Sequence, residues 1–228
     1  MVVLCAAGFA LWFRKLNDKE PHNVEEPEVD PSKIVDPSKI VVYREFKVVL
    51  VGGQEVGKTN FANVLCGKPF SDGYEPTIGV DFGYKKNYVE GKEINFKIWD
   101  TSGREMFLLL LPPYLKNAQT ICVCFDLTKV GNGTIGSYLS GWVDKTKECP
   151  DAKLMFIGCK DDLYQGGNDA EIENAISGLG LGNRVIKDSS NNNRLFFKTS
   201  TRDKNSVDRV LDAILDYAES SDDVFGVI

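Results

Sequence analysis

The hydrophobic pattern changes character near Arg44. From there, apolar runs of strand length alternate with stretches that have helical spacing. Phe46–Val51 is nearly continuous in apolar residues, as a strand buried on both faces requires. A glycine-rich turn follows, then a short helix over Asn60–Leu65. Asp81–Val89 and Glu93–Trp99 read as a hairpin around Glu90-Gly91. In the second of these strands Ile94, Phe96 and Ile98 alternate with Glu93, Asn95 and Lys97. Thr120–Asp126 and Lys153–Cys159 are two further buried strands, and Leu195–Lys198 is a sixth. Ala170–Ser177 reads as a helix that leads into a glycine- and asparagine-rich surface loop. Val207, Val210, Leu211, Ile214 and Leu215 make one face of a helix over Val207–Ala218, with Asn205 or Ser206 as its cap. Trp142 is expected to pack a helix against the sheet, and Trp99 to lie in the core. This is an α/β pattern: a doubly wound, six-stranded, mostly parallel sheet with helices on both faces. Its ligand should lie at the carboxyl ends of the strands.

The residues before this domain behave differently. Residues 1–13 are apolar, and Arg14 and Lys15 follow. As a helix they would reach ~20 Å, short of a ~30 Å bilayer core. Residues 1–16 therefore have two readings. One is a loosely packed terminus. The other is a membrane-surface anchor with Trp12 and Phe13 at the interface. Residues 17–43 are proline-rich, acidic and poor in large apolar groups, and VDPSKI occurs there twice in tandem. That composition is a tether. It also carries His22, the only histidine, which makes histidine catalysis a poor expectation. The domain is expected over 44–219, with a short tail, 220–228.

Composition narrows the function classes. The 228 residues carry a net charge of −6, against the basic face that nucleic-acid binding needs. The six cysteines show no metal-ligand spacing, and they suit a reducing compartment without a disulfide framework.

Specific chemistry begins after the first strand. Gly52-Gly53-Gln54-Glu55-Val56-Gly57-Lys58-Thr59 fits GxxxxGK[ST] between a buried strand and a helix, the context such a motif requires. Successive backbone N–H groups of such a loop converge on an anion, and the helix N-terminus adds positive charge. Lys58 suits the β- and γ-phosphates. The Thr59 hydroxyl suits Mg²⁺, which prefers oxygen. Nothing in this loop distinguishes GTP from ATP.

Four downstream segments do. Pro76-Thr77-Ile78-Gly79-Val80-Asp81-Phe82, then Trp99-Asp100-Thr101-Ser102-Gly103-Arg104-Glu105, then Cys159-Lys160-Asp161-Asp162, then Thr199-Ser200-Thr201 follow in order. They resemble the first switch, the WDTAGQE second switch, the NKxD guanine motif and the TSA base loop of the Ras superfamily, nearest its Rab branch. The resemblance covers about residues 44–218. It implies a P-loop G domain that binds GTP or GDP with Mg²⁺, hydrolyses GTP, and recruits effector proteins through its switches. An exchange factor, a GTPase-activating protein, a monomeric state and a role in membrane traffic follow by analogy. So does a place in the cytoplasm, with the cytosolic face of an intracellular membrane as its refinement. The protein is then either soluble, or held at the membrane by residues 1–16.

The resemblance also implies roles. Asp162 would accept from the guanine ring N–H and exocyclic amine, a donor pair adenine lacks. Lys160 would lie along the base and brace the phosphate loop. The backbone of Ser200 and Thr201 would meet the guanine oxygen, with Leu163, Arg202 and Asn60 nearby. Thr77 would complete Mg²⁺ coordination when the γ-phosphate is present, Asp100 would hold Mg²⁺ through water, and the Gly103 N–H would meet the γ-phosphate. Lys58, Thr77 and Arg104 are the candidate catalytic residues.

This sequence departs from the family at several positions. Arg104 replaces the glutamine that orients the attacking water, so slow hydrolysis is expected. Gln54 and Glu55 stand where small residues are usual, crowding the γ-phosphate, and Glu55 adds negative charge that should speed nucleotide release. Cys159 replaces an asparagine and loses a hydrogen-bonding brace. No cysteine stands near the carboxyl end to carry a prenyl group. Two alternatives therefore stay open: a hydrolysis-deficient pseudo-GTPase and a nucleotide-independent scaffold.

Overall fold

The computed structural model describes residues 42–89, 92–221 and 226–227. The expected segment 1–16 and the tether lie outside the described residues, apart from the tether's last two positions, where the first strand already begins. Among the described residues, seven strands form one sheet: β1 (Val42–Val51), β2 (Val80–Val89), β3 (Lys92–Thr101), β4 (Thr120–Asp126), β5 (Lys153–Cys159), β6 (Phe196–Thr199) and β7 (Gly226–Val227). Five α-helices within the described residues join them: α1 (Lys58–Leu65), α2 (Leu111–Leu115), α3 (Ile135–Asp144), α4 (Asp169–Gly178) and α5 (Lys204–Ser220).

The strand order is β2-β3-β1-β4-β5-β6. Only β2–β3 is antiparallel along this path, with Val80 opposite Thr101 and Val89 opposite Lys92. The seventh strand was not expected from sequence. Its two residues pair antiparallel with Val42 and Tyr43, beside a stretch of β1 that β4 does not reach, since β4 joins β1 only from Val48. A strand of two residues carries too little pattern to be legible.

β1 shows why its sequence is apolar throughout. Phe46, Val48 and Leu50 face one layer, built with Phe61 and Leu65 of α1 and Val210, Leu211 and Ile214 of α5. Val49 and Val51 face the other, with Leu139 and Trp142 of α3 and Ile172 and Ile176 of α4. All seven residues of β4 are buried. Each large side chain so buried contributes about 1.5–3 kcal/mol by leaving water. Helices on both faces leave the ends of the strands open. β1 stands where the chain order reverses, between β3 and β4.

Two expectations need correction. The cap of α5 is Asp203, whose Oδ1 accepts from the Asn205 N–H at 3.1 Å. Ser206 already lies inside the helix, and its hydroxyl bonds the Ser200 backbone instead. Trp99 is not enclosed in the core. It is half-buried, edge-on to Phe82 at 4.7 Å, with Lys47 Nζ 3.8 Å from its ring centroid. Alternation in β3 puts it on the face that the short α2 covers only in part.

Candidate functional site

A cavity of about 500 Å³ opens at the carboxyl ends of the strands. It is lined by the loop after β1, by residues 71–77, by Ser102, Gly103 and Arg104 after β3, and by Lys160 after β5. The tertiary fold thus brings segments from across the sequence to one place.

The phosphate loop runs from Gly52 to Thr59. Gly52 has φ 145° and Gly57 φ 111°, values that glycine adopts without strain. Space is a second constraint. A Cβ at Gly52 would stand 2.3 Å from the Cys124 carbonyl oxygen, and one at Gly57 would stand 3.3 Å from Cys159 Cβ. Cys159 therefore packs directly beneath the loop, where it fills space rather than supplying a polar brace. Val56 is buried as the loop's apolar anchor. Gln54 and Glu55 are exposed at its tip, and Glu55 holds φ 63°, a left-handed conformation costly for a residue with a Cβ.

Lys58 Nζ donates to the carbonyls of Gly52 (2.8 Å) and Gly53 (2.7 Å). Burial pushes this ammonium below its ordinary pKa, against a smaller pull upward from Cys124 and Asp100. A phosphate anion would favour the charged form. The Gly53 N–H does not point to a ligand, because it donates to the Tyr138 hydroxyl at 2.7 Å. That contact from α3 was not read from the sequence. A lone tyrosine on a helix carries no signal of its partner.

Three oxygens meet beside the loop. Thr59 Oγ1 lies 2.7 Å from Asp100 Oδ2 and 3.0 Å from Thr77 Oγ1, and Thr77 Oγ1 is 3.2 Å from the same carboxylate oxygen. Asp100 is buried, and its Oδ1 has no hydrogen-bond partner. Burial raises its pKa, and the hydroxyls of Thr59 and Thr77 only partly offset this. A buried carboxylate with an orphaned oxygen among hydroxyl ligands fits a hard divalent cation. Thr59, Thr77 and Asp100 are the residues that would hold Mg²⁺, whose chemistry here is to neutralise phosphate charge.

Gly103 lies against the loop. A Cβ there would be 2.4 Å from Gly53 C and 2.5 Å from Gln54 N. Arg104 follows and lines the cavity. Asn60 takes a part not foreseen. Its amide donates to the Ser71 carbonyl (2.9 Å) and its carbonyl accepts from the Ser71 N–H (3.1 Å), which ties α1 to the segment that leads to Pro76 and Thr77.

The base side differs from expectation in three respects. Lys160 Nζ bonds Asp126 Oδ2 at 2.7 Å rather than the phosphate loop. The buried carboxylate at the end of β4 holds the ammonium. The Ser200 N–H donates to Ser206 Oγ at 2.9 Å, which leaves the expected base contact to Thr201. The Ser200 hydroxyl instead donates to Asp162 Oδ1 at 2.7 Å and so orients that carboxylate. Arg202 lies over the Phe70 ring at 4.4 Å, pairs with Asp72, and approaches Asp162 at 3.7 Å. Leu163 stands exposed beside them. Phe70 was not singled out in the sequence, where one phenylalanine between strands gives no indication of its place.

Comparison with known proteins agrees with this geometry. The Ras family model matches residues 47–220. The Ras-related protein RabQ of Dictyostelium discoideum is 31% identical over 170 residues, covering 74% of this chain and 76% of RabQ. The sheet order, the phosphate loop and the ordered switch segments are thus accounted for together: the chain belongs to the Ras family of small GTP-binding proteins, and is Rab-like within it.

Proposed function

We propose that the protein is a GTP/GDP switch that hydrolyses GTP slowly and recruits effectors in membrane traffic. The carrying observation is the meeting of Thr59, Thr77 and Asp100 around one oxygen-rich point beside Lys58. This set unites the phosphate loop with both switches, so a cation and a third phosphate would draw all three together. Lys58, Thr77 and Arg104 act on the phosphates, and Asp162, with Ser200 orienting it, selects guanine.

Slow turnover is supported by Arg104. Its guanidinium offers donors and no acceptor, so it cannot hold a water as both donor and acceptor in line with the γ-phosphate. Effector recruitment is supported by an apolar surface next to the switches. Phe82, Met106, Leu109 and Leu110 are all exposed there, Leu109 at 90%. Residues 1–16 would supply membrane contact, which their deletion followed by membrane fractionation tests.

The deciding experiment identifies the nucleotide that co-purifies and then measures single-turnover hydrolysis with Mg²⁺. Native protein should retain guanine nucleotide and turn over slowly, and Arg104→Gln should hydrolyse at least about tenfold faster. Equal rates in the two proteins would reject the role given to Arg104. A chain that binds no guanine nucleotide would reject the switch.

A further inference from the structure

The Tyr138 hydroxyl lies between backbone groups of two different segments. It accepts from the Gly53 N–H at 2.7 Å and donates to the Cys124 carbonyl at 2.8 Å. One hydroxyl can do both, having one proton and two lone pairs. Gly53 is the second residue of the phosphate loop, Cys124 lies within β4, and Tyr138 is on α3. The carbonyl of the same peptide unit, that of Gly52, accepts from Lys58 Nζ at 2.8 Å. A chain of contacts therefore runs from a helix outside the cavity to the ammonium that faces the phosphates. Glycine at 53 leaves room for it, since a Cβ there would already stand 3.4 Å from the tyrosine oxygen.

We infer that Tyr138 is a positioning residue for the phosphate loop: it orients the Gly52–Gly53 peptide, and through that peptide's carbonyl, that of Gly52, the Lys58 ammonium. It also withholds the Gly53 N–H from the ligand, so the loop amides from Gln54 onward grip the phosphate. A peptide plane is rigid. Fixing its N–H on one side fixes the direction of its C=O on the other. Phenylalanine would fill nearly the same space but leave both the Gly53 N–H and the Cys124 carbonyl without this partner, a costly state for half-buried backbone. The effect on ligands rests on the guanine-nucleotide reading above. The clamp itself does not.

The test uses the full chain and Tyr138→Phe. Amide exchange at Gly53, followed by NMR, reports the clamp directly and should quicken at least about tenfold in the variant. With Mg²⁺ present, GDP should dissociate about tenfold faster, while GMP affinity stays within about twofold, because GMP has no β-phosphate for the loop and Lys58 to hold. Leu139→Ala is the control. It loosens the same helix by thinning its core contact at a fully buried position, and should leave GDP release within about twofold of native at a matched loss of Tm. Equal acceleration in Leu139→Ala, equal losses for GMP and GDP, or unchanged exchange at Gly53 would each overturn the assignment. If native protein binds no GDP, the guanine-nucleotide reading fails, and the Gly53 exchange rate still decides whether the clamp exists.

Discussion

Thr59 Oγ1 stands 2.7 Å from Asp100 Oδ2, a contact that ties the first turn of α1 to the end of β3. Each residue reaches the other only because β1 and β3 are parallel neighbours, with Leu50 opposite Asp100. Asp100→Asn keeps the shape and removes the charge. It should lower the slowing of GDP release by Mg²⁺ by at least about tenfold, measured as off-rates with Mg²⁺ and with a chelator. A variant that responds to Mg²⁺ as native does would remove Asp100 from the cation site.

Glu55 joins two costs at one position, a left-handed backbone at φ 63° and a negative charge at the phosphate loop. Glu55→Gly removes both and Glu55→Gln only the charge. Glycine should therefore stabilise the fold by about 1 kcal/mol, while both variants should slow GDP dissociation several-fold. Unchanged off-rates in both would show that the charge does not reach the phosphates.

Gly103 has no room for a methyl group, because the atoms it would meet are loop backbone, Gly53 C at 2.4 Å and Gln54 N at 2.5 Å. Backbone cannot rotate away as a side chain can. Gly103→Ala should leave GDP affinity near native but reduce the preference for a non-hydrolysable GTP analogue over GDP by about tenfold. Equal affinity ratios in calorimetry with native protein would mean that the second switch closes elsewhere.

Asp126 gives a pH dependence with a definite sign. Its burial works to raise the pKa, but the bonds from Lys160 and Thr128 outweigh this, and the net shift is downward. A carboxylate with a lowered folded pKa adds stability above its unfolded value, about 3.9, and loses it as pH falls through the folded value. The stability difference between native protein and Asp126→Asn should therefore be full at pH 6 to 7 and shrink steadily below about pH 4. Denaturant melts across that range check it, and a difference that grew on acidification would contradict the pairing with Lys160.

Most of the fold was legible because two-sided burial leaves a strong mark. β4 and β5 appear in the structure with the bounds read from their apolar runs, Thr120–Asp126 and Lys153–Cys159. Helix ends were less legible. Asp203 caps α5 through a local backbone turn that Asn205 and Ser206 could equally have offered on paper. The halves of the site differed in the same way. Glycines and the lysine of the phosphate loop act through their own backbone and spacing, so the chain order alone exposes them.

The linear chain thus determined the alternating elements, the phosphate loop and the residue types suited to phosphate, cation and guanine. It could do so because local conformation and periodic burial depend on neighbours in sequence. Only tertiary packing decided which atoms satisfy one another. Lys160 bonds Asp126 and not the loop, Ser200 gives its N–H to Ser206, Arg202 covers Phe70, and Tyr138 takes the Gly53 amide. Each is a competition among possible partners, settled by which group the folded chain brings within reach of the other.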